Sequence, residues 1–283
     1  MGFHPFTAAQ KLHSLFEPSQ CYWRSGRLGG AADTLPVAHL DPAADCTDPH
    51  CRELIDTWLW YTAKYKQVGA RHDLSVFKPT ATILDLDQFS DFDAFAKAAS
   101  RASDGNVNRA VKKAARGGYV SRRIPRGSYD LSIEKIRSSK RFRSGGPVLN
   151  AFFNARAGLT DRVWPYQAPA CNEHWIIEWA VFPPADRGAS PVAHAAFQRV
   201  GNMARVMVFM GHGDFLAEDV VKLLTFDVIV WLLTRDDPAV RNLRYFFYGA
   251  AEHGNYGLFK WKRRMQFKPH ILNPAAVANL TGR

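Results

Sequence analysis

Met203-Ala-Arg-Val-Met-Val-Phe-Met210 runs into Gly211-His-Gly-Asp214, then into a segment of helical period over residues 219–233, and then into Leu243-Arg-Tyr-Phe-Phe-Tyr248. The first and last pieces are apolar, with the β-branched and aromatic side chains that suit a pleated surface. Between them Val220, Leu223, Leu224, Val228 and Trp231 recur at helical spacing. Strand, glycine turn, helix and strand form an α/β order, in which two strand ends and a helix N-terminus create a crevice.

The same alternation extends in both directions. Upstream, residues 81–86 read as a strand and 91–102 as a helix with Phe92, Phe95 and Ala99 on one face. Residues 108–116 read as a short basic helix stopped by Gly117-Gly118, 119–124 as a strand and 129–140 as a helix. Strands are expected over 152–157 and 175–182, the second closed by Pro183-Pro184. Downstream, 249–255 reads as a loop, 256–265 as a helix, and 267–272 as a last strand that Pro269 marks as an edge. Residues 1–75 are irregular, with Gly29-Gly30, Pro36, Pro42 and Pro49 ahead of Trp58, Trp60, Tyr61 and Tyr65. They are expected to form an N-terminal extension packed on a main domain over 76–283.

With 283 residues and 47% hydrophobic content, the chain can bury a substantial core, which excludes a disordered or fibrous protein. Its 37 Lys and Arg against 26 Asp and Glu give +11, a balance that favours a polyanionic partner. The longest apolar run, near 226–233, is far shorter than the roughly 20 residues a bilayer span needs. Residues 1–10 lack the charged start and apolar block of a secretory signal, so a cytoplasmic protein with no membrane span is expected. Cys46 and Cys51, with His50 between them, have the spacing of half a zinc site. No second Cys/His pair is apparent after them, and the sequence reading assigns no metal. Cys171 is a candidate thiol nucleophile or a buried structural cysteine.

The order of elements, ending in Tyr256-Gly-Leu-Phe-Lys-Trp-Lys-Arg-Arg-Met-Gln-Phe-Lys-Pro269, resembles the C-terminal half of a GNAT-fold acyltransferase, with Gln266-Phe267 in place of the family's Gly-Phe turn. The segment Asn108-Arg-Ala-Val-Lys-Lys-Ala-Ala-Arg-Gly-Gly-Tyr119 is similar to a basic stretch of the Fem-like branch, which takes amino acids from charged tRNA. The resemblance implies a GNAT-like mixed central sheet flanked by helices, an acyltransferase activity, and no tightly bound cofactor. Two departures stand out. The stretch 209–216 has the glycines of a pyrophosphate loop without its basic or amide lead residue, and Asp214 would repel a diphosphate. Lys262 occupies the place of the family's frequent general-acid tyrosine.

A tRNA ester as donor reconciles the missing loop with the positive charge, since phosphate binding draws on Lys/Arg clusters. Such clusters include Arg109, Lys112, Lys113 and Arg116, then Arg141 and Arg143, then Lys260, Lys262, Arg263 and Arg264, with Asn255 and Tyr256 beside the last. For proton handling the first candidates are His212 and Asp214, with the backbone at Gly211 and Gly213 as oxyanion donor. The competing reading makes His212 a turn residue and Asp214 a helix cap. Glu252 and His253 form a second polar cluster, Tyr248 is a candidate proton donor to the leaving group, and Glu178 is the lone charge in an apolar strand. With no Gly-x-Ser-x-Gly elbow, direct attack by an amine of a small molecule or peptide is favoured over a covalent serine route. Two alternatives stay open: an N-acyltransferase fed by acyl-CoA or acyl carrier protein, and a non-catalytic RNA-binding module. The acceptor, the transferred group and the oligomeric state are not specified by the sequence.

Overall fold

A computed structural model describes residues 35–43, 46–68, 79–143, 146–147, 158–251 and 256–273. Its strands are β1 (Val37–His39), β2 (Ala81–Asp85), β3 (Val120–Ile124), β4 (Phe142–Arg143), β5 (Gly146–Pro147), β6 (His174–Phe182), β7 (Ala193–Val200), β8 (Met203–Gly211), β9 (Tyr245–Ala250) and β10 (Lys268–Asn273). The helices are α1 (Pro49–Thr62), α2 (Phe92–Arg101), α3 (Asn106–Arg116), α4 (Asp130–Ser138), α5 (Val220–Thr234) and α6 (Tyr256–Arg264). Eight strands form one mixed sheet in the order β1-β10-β2-β9-β8-β7-β6-β3, and β4 pairs only with β5. Two pairs are parallel, β1 with β10 and β8 with β9. The expected mixed central sheet flanked by helices is the architecture found. None of the helices among the described residues is long and apolar enough to cross a membrane.

Helix starts follow local chemistry. Asp91 caps α2 by accepting from the Ala94 N–H at 2.8 Å, and Asp48 caps α1 by accepting from His50 N–H at 2.7 Å, with Pro49 at the first position. The sequence reading missed α1, because its prolines and aromatics resemble loop composition. Its Leu54, Ile55, Trp58 and Thr62 nevertheless form one buried stripe. Strand β7 was missed for a different reason. Ala-His-Ala-Ala-Phe-Gln-Arg-Val has little β-propensity, yet all eight positions are buried, because small side chains admit helices on both faces.

Two layers cover the sheet. On one face α2, α3 and α5 pack over Trp175, Ile177, Trp179, Ala195, Phe197 and Phe246. Helix α5 has ten of its fifteen residues buried and is apolar all round, as a helix enclosed by neighbours must be. On the other face α1 covers Val200, Met203, Tyr245 and Phe247, while Ile133 of α4 packs with Ile124, Ala180 and Phe182. Residues 37–62 thus supply both a strand and a helix to this single sheet. The tether between them and the β7–β8 turn is tight: Asn202 bonds the backbone of His39 and Asp41. Gly201, at φ 57°, sits where a Cβ would come within 1.7 Å of the Asp41 carbonyl oxygen.

Strand β10 is not an edge, for β1 lies beside it. Pro269 is tolerated because β1 pairs only from Ile271 onward, so the proline has no strand on that side. The strand expected over 152–157 lies outside the described residues.

Asp227 is the one carboxylate within α5, and burial pushes its pKa up to about 6. A carboxyl whose folded pKa exceeds its unfolded one costs stability as pH rises from about 4 to about 6, and the cost is constant above that. Asp227→Asn removes it. The variant is expected to match the parent in denaturant midpoint at pH 4 and to exceed it at pH 7 by about 1–2 kcal/mol, a value reduced from the full shift because the group is partly solvated. A stability difference independent of pH between 4 and 7 would contradict this assignment.

Candidate active site

The parallel pair β8 and β9 is joined by α5, and its ladder is short: Met203 faces Tyr245, Ala204 faces Phe246 and Arg205 faces Phe247. Beyond Arg205 and Phe247 the two strands run on without pairing, to Gly211 and Ala250. A slot therefore opens between neighbouring strands in the middle of the sheet, with unpaired backbone along its sides. At its mouth β8 is bulged. Ala196 of β7 faces Val208 and Phe197 faces Val206, which leaves Met207 as the extra residue, 43% exposed. A bulged residue falls out of the ladder and frees backbone groups for other partners. Phe209 and Tyr248 close the slot on the side of α5, with ring centroids 6.0 Å apart.

The glycine turn after β8 is engaged by the protein itself. Gly213 N–H donates to Ser139 Oγ at 2.9 Å, and the Gly211 carbonyl accepts from Arg143 Nη1 at 3.1 Å. Gly211 packs so closely that a Cβ would come within 2.7 Å of Val221. His212 caps a 3-10 helix (Gly213–Glu218) through Nδ1, which accepts from Asp214 N–H at 3.3 Å. The Asp214 carboxylate is 85% exposed and 3.8 Å from that nitrogen. Helix α5 starts after this 3-10 turn, so Asp214 is not its cap. The turn and capping roles suffice to explain His212.

Glu178 lies elsewhere. It points to the sheet face between α1 and α4, and its Oε2 is 2.9 Å from His194 Nε2 on the neighbouring strand β7. The register makes this pair: Glu178 faces Ala196 and His194 faces Ala180, in the row between the parts covered by the two helices. Both side chains are largely buried. The other ring nitrogen, His194 Nδ1, is buried with no partner among the described residues, and leaving such a group unmet costs about 1–3 kcal/mol. On its other side His194 faces Met210 of β8, one strand from the slot. Glu178 also lines a cavity of about 590 Å³ whose walls include Arg126, Trp164 and His174. His194 escaped the sequence reading because an isolated histidine in an alanine-rich stretch carries no motif, and only strand register sets it against Glu178.

Tyr248 sits at the slot, and burial pushes its phenol up to about 12, so it stays protonated. Lys262 is not a surface cation: it is 3% exposed, donates to the Ala250 carbonyl at 2.6 Å and lies 5.2 Å from the Tyr248 ring centroid. Of the other basic candidates, Arg109, Lys112 and Arg116 lie on the exposed face of α3, with Arg109 also donating to the Asp104 carbonyl. Lys113 donates to the Ala217 carbonyl, and Arg143 is committed to carbonyls at the end of α4, including that of Ile136. Arg141, Tyr256, Lys260 and Arg263 are exposed, Arg264 is half-buried, and Lys260 stands 4.3 Å over the Tyr256 ring. Glu252, His253 and Asn255 lie outside the described residues.

Cys46, Cys51, Cys171 and His174 converge, each offering one ligand atom, with all four atoms within 4.8 Å of one another. The pair Cys171-x-x-His174 was present in the sequence and went unread because it lies far from Cys46 and Cys51. His50 is outside the cluster, exposed and facing Glu53. A hydrogen bond from Cys51 lowers the Cys46 thiol, and burial raises that of Cys51.

No protein-family model matches the sequence, and no curated protein matches it. Solved structures do. The C-terminal domain of a putative lysylphosphatidylglycerol synthetase from Agrobacterium fabrum shares 12% identity over 67% of this chain, with a TM-score of 0.39. L-PGS from Bacillus licheniformis shares 12% over the same 67%, with a TM-score of 0.38. This chain spans 57% of the length of each of those two. A tandem GNAT protein from the clavulanic acid biosynthesis pathway shares 14% over 83% of this chain and 73% of its own, with a TM-score of 0.41.

Proposed function

We propose that the protein is an acyltransferase that moves an aminoacyl group from a charged tRNA to an amine. One observation carries the reading: the slot between β8 and β9, with the Met207 bulge at its mouth. An extended acyl ester lying in that slot gains hydrogen bonds from unpaired strand backbone, and the groups freed by the bulge are placed to meet a developing oxyanion. The amine nitrogen attacks the ester carbonyl, the C–N bond forms, and the C–O bond to the ribose breaks. Because His194 stands one strand from the slot, the amine proton reaches its Nδ1 through an intervening water, while Glu178 on Nε2–H holds the ring and balances the imidazolium. Tyr248, kept neutral by burial, supplies a proton to the ribose oxygen as it leaves, and the proton held by the imidazolium returns through solvent to the phenolate before the next turnover. No covalent enzyme intermediate is required.

The donor is inferred from what the turn after β8 lacks. Gly213 N–H, a group a diphosphate would need, is held by Ser139, which disfavours CoA. The exposed cations of α3 suit a phosphate backbone instead. Binding of bulk aminoacylated tRNA is therefore expected to weaken steeply with salt. Replacing Arg109, Lys112 and Arg116 together by Ala should lower the log–log salt slope by about 2–3, since each lost phosphate contact removes about 0.7–0.9. Consumption of the aminoacyl ester on mixing with an amine pool is the accompanying readout. Absence of tRNA binding together with thermal stabilisation by CoA would overturn the donor in favour of acyl-CoA. Salt-sensitive binding without ester consumption would favour an RNA-binding module.

A further inference from the structure

The four-residue cluster stands apart from the slot and independently of the acyl-transfer reading. Cys46 precedes the cap of α1, Cys51 lies in its first turn, and Cys171 and His174 lead into β6. Their convergence joins two segments that are remote in the chain. The Cys171 Sγ to His174 Nδ1 distance is 3.4 Å, close to the edge of about 3.5 Å in a tetrahedron with Zn–S near 2.3 Å and Zn–N near 2.0–2.1 Å. His174 is 2% exposed, and its Nε2 lies 2.8 Å from the Pro42 carbonyl oxygen. A carbonyl accepts only, so Nε2 carries the proton and the Nδ1 lone pair is turned toward the three sulfurs, the outer-sphere arrangement of metal-bound histidines.

A disulfide would use two of the three sulfurs and leave the third, with the imidazole, unexplained. Three sulfurs and one nitrogen make a closed, soft, four-donor set, the composition of structural zinc centres. We propose that Cys46, Cys51, Cys171 and His174 form a structural zinc site that staples the start of α1 to the start of β6. Binding is redox-neutral: the thiols lose their protons to solvent as the Zn–S bonds form. Since Cys51, Cys171 and His174 also line the cavity that reaches Glu178, the metal would set the shape of that wall.

The test uses the full chain, purified without chelator or affinity tag under anaerobic conditions, with zinc measured by elemental mass spectrometry. One zinc per chain is expected. After its removal, titration with cobalt(II) should give the intense visible bands of a tetrahedral site and thiolate-to-cobalt charge transfer in the near ultraviolet. His50→Ala should keep the metal, whereas Cys171→Ser and His174→Ala should lose it or, where folded, bind cobalt without the tetrahedral spectrum. Wild-type protein from zinc-supplemented cells that holds no zinc and gives no cobalt spectrum would overturn the proposal. So would a Cys46–Cys51 disulfide in the anaerobic protein, or full zinc retention by both ligand variants.

Discussion

His194→Gln is expected to lower turnover of the aminoacyl ester by about 10²–10⁴-fold, the usual contribution of a positioned acid–base group. Glutamine fills nearly the same volume and its amide can still donate to Glu178, so the strand register and the core beneath should persist. What it cannot do is accept a proton and keep it. Glu178→Gln tests the partner. Its amide oxygen still accepts from Nε2–H, but the charge that balances the imidazolium is gone, so a large part of the same loss should follow. Donor affinity and the denaturant midpoint separate these effects from a general disturbance, because loss of a proton acceptor slows turnover and leaves both in place, while a packing defect lowers the midpoint as well. Unchanged turnover in both variants, with binding of the donor intact, would remove this pair from the mechanism.

Arg199→Met should be the most destabilising substitution of a single polar side chain described here. The guanidinium is fully buried and donates to the carbonyls of Gly201 at 2.7 Å, Asn172 at 2.9 Å, Ala239 at 2.9 Å and Arg241 at 2.7 Å. Burial lowers its pKa to about 10, so it remains charged at neutral pH. Trp175 Nε1 also donates to the Asn172 and Ala239 carbonyls, and these keep a partner in the variant. Gly201 and Arg241 lose theirs from this side chain. The expected cost is about 3–5 kcal/mol, built from charge-assisted bonds of about 1.5–3 kcal/mol and buried acceptors left unmet. That is a large fraction of a typical domain's stability. Arg199→Lys keeps the charge but not the planar fork, and should fall between. A midpoint for Arg199→Met within about 0.5 kcal/mol of the parent would show that the carbonyls find water instead.

The order of the parallel unit and of α2, α3 and α5 was legible because apolar residues recur there at the spacing each element imposes. What escaped was set by position in the sheet rather than by local pattern. Strand β7 is alanine-rich because it lies under helices, and Pro269 signals an edge that β1 covers only from the next two residues onward. The same holds for the candidate site. Glu178 stood out as a charge in an apolar strand, but its partner His194 depends on a cross-strand register, and the slot depends on where a ladder stops. His212 and Asp214 were conspicuous in sequence, and the structure gives His212 a local capping role and leaves the Asp214 carboxylate exposed. Cysteine spacing was read over a short window, which hid a ligand set assembled from two distant segments.

The place of β2 in the sheet bears on how the chain is made. Four of its five residues are buried, and its neighbours are β9 and β10. On a ribosome adding about 5–20 residues per second, on the order of 10–40 s separates emergence of β2 from emergence of both partners. For most of that interval an apolar strand waits with two bare edges, which is the form most prone to wrong pairing. Shortening the chain from the C-terminal side past β10 therefore leaves β2 with a bare apolar edge rather than a smaller closed sheet.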